Sequence, residues 1–310
     1  MKITRRSAVS VSLAALVFFV WPATALAAAN DPGLKTAGNF AVLSGTPNIT
    51  NTGPTWISGQ MGISPACSIT GFPPGTSGVQ HKCDAVALQA KTDLTGAYTR
   101  AANEPCPGSN NFTGQNLGGK TLVPGVYCAT TAAPINGTVT LDGGGNSLAT
   151  YVFQIGSTLL TAAGAPGAPA ARISLINGVS PCEVFWVVGS SATLELYTAF
   201  VGNIMAVTSI QMKTGATLEG RALARNGAVT LDTNRIIQPG GCGYNAPPLG
   251  TPPVGNTLPT TLGFSLSIPA TGVPLELRGE FPWLPLIGIG AGIALGGLGF
   301  SSWRRRRRAA

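Results

Sequence analysis

The chain is poor in the residues that do chemistry. Among its 310 residues there is one histidine, His81, and only 10% are charged. A Ser-His-Asp arrangement would have to use His81, in a loop beside Cys83. No nucleophile elbow, P-loop or HExxH pattern occurs. No CxxC pair occurs either, so the cysteines do not read as a metal site, and no cofactor motif is present. The carboxylates that remain for paired acid–base work are Asp142, Glu195, Glu219 and Asp232. They are scattered, and each reads as a solvated surface charge. The sequence therefore does not read as an enzyme.

Basic residues also lack a patch to form. The formal net charge of +8 suggests nucleic acid or a membrane surface as a partner. Three of the basic residues fall in the first 27 residues, however, and five more are Arg304 to Arg308. Between Ala28 and Thr271, ten Lys and Arg stand against nine Asp and Glu, a net of +1. Nothing in that stretch supports a nucleic-acid partner.

What is present begins with a secretory signal. Residues 1–27 carry a basic start (Lys2, Arg5, Arg6), an apolar run and the small-x-small pattern Ala25-Leu26-Ala27. At the other end, residues 268–310 hold Ile268-Pro269-Ala270-Thr271-Gly272, an apolar glycine-rich stretch at about 283–303 that reads as transmembrane, and the arginine tail. That order resembles a Gram-positive sortase sorting signal with isoleucine in place of the usual leucine. The resemblance implies cleavage between Thr271 and Gly272 and covalent attachment to peptidoglycan. A plain membrane anchor is the alternative. Either places the middle of the protein on the cell surface. A Pro/Gly/Thr linker at 245–267 separates the signal from a domain at 28–244.

That domain holds all six cysteines: Cys67, Cys83, Cys106, Cys128, Cys182 and Cys242. An even number in an exported chain suggests three disulfides, among 15 possible pairings. Proximity favours Cys67–Cys83, Cys106–Cys128 and Cys182–Cys242, with the other pairings open. Asp84 to Asn103 has one glycine and no proline, and Val86, Ala90, Leu94, Ala97 and Ala101 fall at helical spacing. One helix is expected there.

Elsewhere an apolar–polar–apolar triplet recurs: Val139-Thr140-Leu141, Ala192-Thr193-Leu194, Ile210-Gln211-Met212, Val229-Thr230-Leu231 and, more weakly, Ser157-Thr158-Leu159. The last apolar positions are spaced by 18, 35, 18 and 19 residues, and 35 is close to two periods. Alternation puts the apolar residues on one side of a strand and the middle residue on the other. A strand returning every 18–20 residues predicts a mainly β chain built as a parallel β-helix. Its outward column would be Thr140, Thr158, Thr193, Gln211 and Thr230.

Several blocks carry a resemblance. They are Ala37-Gly38-Asn39-Phe40-Ala41-Val42-Leu43-Ser44-Gly45, Leu122-Val123-Pro124-Gly125-Val126-Tyr127, Val184-Phe185-Trp186-Val187-Val188-Gly189, and above all Gly220-Arg221-Ala222-Leu223-Ala224-Arg225-Asn226-Gly227-Ala228-Val229-Thr230-Leu231. Together they resemble the bacterial and fungal ice-binding proteins of the discontinuous β-solenoid type. The resemblance implies a right-handed β-helix of triangular section with one long α-helix alongside and coils not stacked in chain order. It also implies a monomeric domain that binds ice through one flat threonine-bearing β face. Some members carry Thr-(Ala/Gly)-x-(Thr/Asn) there. Thr214-Gly215-Ala216-Thr217 fits this pattern, and Thr161-Ala162-Ala163-Gly164 fits it in three places. The expected face gathers Thr161, Thr193, Thr214 and Thr217. A surface-anchored adhesin for polysaccharide or cells, with no ice activity, is the alternative function.

Overall fold

The computed structural model describes residues 28–242. The signal segment, the linker, the Thr271–Gly272 site and the apolar stretch at 283–303 lie outside the described residues. Among the described residues no helix is long and apolar enough to cross a membrane.

Short strands are the main regular structure of the described residues, and every named strand pair is parallel. The regular coils show why. Val184–Val188, Ala192–Leu194 and the first part of Ala199–Ala206 are followed by the rest of that strand, Ile210–Met212 and the first part of Thr217–Ala224. Each circuit therefore lays down three segments, one on each of three faces. The face holding Ala192–Leu194 and Ile210–Met212 is here called the front. The face beginning at Ala199 and Thr217 is the side. The third is the helix face.

Glycine makes the bend from side to helix face possible. Gly202 and Gly220 are in register and have φ of +112° and +154°. A Cβ on Gly220 would stand 1.9 Å from the Gly202 carbonyl oxygen.

The coils do not stack in chain order. Thr217–Ala224 pairs with Phe40–Ser44, Val229–Asp232 with Asn48–Thr52, and Arg235–Ile237 with Trp56–Ser58. The N-terminal coils thus continue the stack where the C-terminal coils end. The front sheet has seven strands and runs from Ala133–Ile135 at one end to Ser68–Thr70 at the other.

Inward side chains fill the stack. Tyr127, Phe153 and Trp186 occupy one register position on three successive strands. Phe153 stacks on Trp186 at 4.0 Å between centroids, and Tyr127 on Phe153 at 5.4 Å. Such pairs contribute about 0.5–1.5 kcal/mol each beyond the area they bury.

The helix, α1, is Ala85–Ala102. Asp84 caps it, its carboxylate accepting the Ala87 N–H at 2.8 Å. The helix turns Ala87, Ala90, Leu94, Ala97 and Ala101 inward. Val86, expected on that stripe, is 41% exposed, because the 3–4–3–4 spacing of the small residues starts at Ala87 and fixes the phase. Small side chains let α1 lie close on Val126, Val152, Phe185, Val187, Met205 and Leu223.

Three disulfides close the domain: Cys67–Cys83, Cys106–Cys128 and Cys182–Cys242. The last spans 60 residues, a loop whose closure is worth about 4 kcal/mol in the chain-entropy account. Beside it, the buried Arg221 donates to Gly38 O (2.8 Å) and Asn203 Oδ1 (2.7 Å). Asn203 in turn donates to the carbonyls of Cys182 and Val184.

Candidate functional site

On the front face the outward positions form one unbroken row. Pro134 pairs with Leu160, Leu160 with Thr193, Thr193 with Gln211, Gln211 with Thr230, Thr230 with Thr50, and Thr50 with Thr70. No register shift interrupts the row. Adjacent strands lie about 4.8 Å apart, so seven positions span roughly 29 Å. No member carries a charge.

A second row of small residues, all polar except Ala228, runs along one edge. Thr158, Ser191, Ser209 and Ala228 stand immediately before the inward Leu159, Ala192, Ile210 and Val229. Asn48 and Ser68 continue the row in register. Ser191 Oγ and Thr208 Oγ1 are 2.7 Å apart. The opposite edge is charged: Lys213 pairs with Glu195 at 2.7 Å, and Asp232 follows, in register with Thr52.

The side face is rougher. Thr138, Arg172, Ala199, Thr217, Arg235 and Trp56 share one register row. The Arg235 guanidinium lies 5.2 Å from the centroid of the Trp56 ring. The next row holds Thr121, Thr140 and Ser174 in register, and Glu219 beside Ile237. The helix face is covered by α1.

The expected site residues therefore separate. Thr193 and Thr230 are in the front row, and Thr158 is at that face's edge. Thr140 is on the side face, paired with Ser174 and Thr121, and is not a neighbour of Thr193. The apolar–polar–apolar triplet marks a strand whichever face it lies on. Thr217 is exposed on the side face, and Thr214 stands at the corner between front and side, where its hydroxyl donates to Asp232 Oδ2 at 2.5 Å. Thr161 is only 2% exposed. Its hydroxyl lies 2.7 Å from that of Thr198 and accepts the Glu195 N–H at 2.8 Å. It braces the inside of the corner and presents nothing to a ligand. The face expected around Thr161, Thr193, Thr214 and Thr217 is thus two faces and an interior bond.

The carboxylates considered for catalysis are engaged separately. Asp142 accepts from Gly144 N and Asn177 Nδ2, which hold its carboxyl below the usual range, the backbone bond contributing most. Glu195 pairs with Lys213, and Asp232 accepts from Thr214 and Thr233. Glu219 is exposed on the side face.

Thr50 and Thr70 were missed from the sequence. Their signal was there: Asn48-Ile49-Thr50 and Ser68-Ile69-Thr70 repeat a polar–apolar–polar unit one period apart.

The sequence profile of the family described as Ice-binding-like matches residues 42–237. The chain belongs to this family. An ice-binding protein of Nostoc sp. (strain HG1) is 44% identical over 238 residues, covering 76% of this chain and 84% of the relative. An ice-binding protein of Flammulina populicola is 34% identical over 230 residues, covering 68% of this chain and 89% of the relative. The crystal structure of an ice binding protein from an Antarctic biological consortium matches with a TM-score of 0.63 at 44% identity, covering 68% of this chain and 92% of that one. That of the Antarctic ascomycete Antarctomyces psychrotrophicus matches with a TM-score of 0.62 at 38% identity, covering 66% and 97%. The mainly β architecture with parallel sheets and one helix is that of these ice-binding structures.

Proposed function

We propose that this protein adsorbs to ice through its front face. The observation that carries this is the row Pro134, Leu160, Thr193, Gln211, Thr230, Thr50 and Thr70, seven outward positions in continuous register with no charge among them. A regular row of hydroxyls and methyls orders water at a fixed repeat. Water bridging such groups is nearly as favourable as a direct hydrogen bond. No single contact is strong, and adsorption comes from the sum along the row. Charged groups impose their own hydration geometry, so the Glu195–Lys213–Asp232 edge limits the area that can join the ice lattice. Family membership supports this reading over the adhesin alternative. Ice-affinity partitioning of the purified protein tests it: the protein enters the ice fraction, and exclusion from it would refute the reading.

A second placement rests on one specific observation. The intact Thr214-Gly215-Ala216-Thr217 motif exposes Thr217 on the side face. Against it stand Arg172, Arg235, Trp56 and Glu219 on the same face, which are bulky or charged.

The stack is proposed to wind right-handed with a triangular section, as the resemblance implies. The domain acts as a monomer, without catalysis. It is held outside the cell by the segment at 268–310, through sortase cleavage at Thr271–Gly272 and attachment to peptidoglycan.

A further inference from the structure

Away from both exposed faces, α1 crosses the turn that follows Thr217–Ala224, and two cations meet there. Lys91 is 9% exposed, and its Nζ donates to the carbonyl oxygens of Ala224 and Arg225. The Arg225 guanidinium lies 4.4 Å from the centroid of the Tyr98 ring, which holds it over the helix. Its Nε is buried and has no hydrogen-bond partner. Among the described residues, neither cation is in a salt bridge with a carboxylate. The one charge that acts appreciably on Lys91 is that of Arg225, a like charge; burial and this repulsion pull the ammonium down to about 7.

Buried charges are ordinarily paired, because an ion taken out of water without a counter-charge is costly. Here two like charges share the wall of a groove of about 390 Å³, whose lining contains no acidic residue. Thr46, Ser64 and Asn226 supply polar groups to the same wall. A guanidinium and an ammonium lining one groove present N–H donors of the kind that hold the oxygens of one tetrahedral oxyanion.

We propose that this groove is a binding site for a phosphate-class oxyanion, held by the Arg225 guanidinium and the Lys91 ammonium. Neither residue lies on the front or side face, so the site is independent of ice adsorption. The bound group is either free phosphate or the phosphodiester of a surface polymer, since both present the same oxygens.

Thermal unfolding of the full-length protein tests the site, just below neutrality and with ionic strength held constant by sodium chloride. Inorganic phosphate at ten times its Kd should raise Tm by about 3 °C, and Tm should go on rising with the logarithm of phosphate concentration. Arg225→Gln should remove the logarithmic rise and leave only the linear stabilisation that excluded salts give any protein. Lys91→Met should do the same. If that variant fails to fold, Arg225→Gln decides alone, with loss of phosphorus-31 line broadening as its second readout. Dimethyl phosphate in a parallel arm separates the sources: a logarithmic rise assigns the site to a polymer diester, and its absence to free phosphate. A rise with inorganic phosphate that is linear in the wild type, or equally logarithmic in Arg225→Gln, would overturn the proposal.

Discussion

Thr230 is in register with Thr50, although one belongs to the C-terminal coils and the other to the N-terminal coils. The seam between the two sets of coils therefore falls within the front row, between its fifth and sixth positions. If the row acts as one surface, a bulky group on either side of the seam should have the same effect. Thr50→Tyr is expected to abolish ice shaping, measured by crystal morphology under a cold stage. The folding free energy should move by less than about 0.5 kcal/mol, since the site is a partly exposed strand position away from caps and core.

The charged edge should limit activity. Glu195 and Lys213 form a pair only partly shielded from water, and such pairs contribute roughly 0–1 kcal/mol. Replacing both by threonine would widen the uncharged area at small cost to stability. Inhibition of ice recrystallisation is expected to reach its half-maximal effect at a lower protein concentration. An unchanged or higher concentration would show that the edge plays no part.

Gly220 should be irreplaceable. Its φ is +154°, and an added Cβ would overlap the Gly202 carbonyl. Strained backbone and overpacking each cost on the order of 1–3 kcal/mol. Gly220→Ala should lower the urea midpoint at unchanged slope. It should also weaken ice adsorption only in proportion to the fraction unfolded.

The front row was legible where the coils are of even length. Thr193, Gln211 and Thr230 sit in three successive coils, and their spacing of 18–19 residues predicts their register. Insertions upstream broke the reading. The triplet that faces outward at the next coil is Leu159-Leu160-Thr161, with apolar Leu160 outside and Thr161 inside. A pattern built on apolar-in and polar-out therefore chose Ser157-Thr158-Leu159. Thr161 tolerates burial only because Thr198 and the Glu195 N–H satisfy its hydroxyl, and that partnership spans a coil and cannot be seen locally. Thr50 and Thr70 repeat visibly in the sequence, but their place beside Thr230 does not show there, because periodicity along the chain does not tell which end of a stack meets which. Lys91 and Arg221 were unreadable as buried cations, because carbonyls from distant turns and the Asn203 side chain, not neighbouring acids, receive their hydrogen bonds.

The proposed anchor has its own test. If Ile268 to Gly272, the apolar stretch and the arginine tail act as a sorting signal, wall-digesting enzyme should release the protein from cells and detergent should not. Thr271→Ala should shift it to the detergent fraction or the medium. Release of the wild type by detergent alone would make the segment a membrane anchor.

The most direct test of the front-face assignment is ice-affinity partitioning of Thr230→Tyr beside Thr217→Tyr. Thr230 lies inside the front row, with neighbours in register on both sides, and Thr217 lies likewise inside the side row. The account predicts that Thr230→Tyr stays in the liquid fraction, while Thr217→Tyr enters the ice as the wild type does. Partitioning of Thr230→Tyr into ice together with exclusion of Thr217→Tyr would contradict it and move the binding surface to the side face.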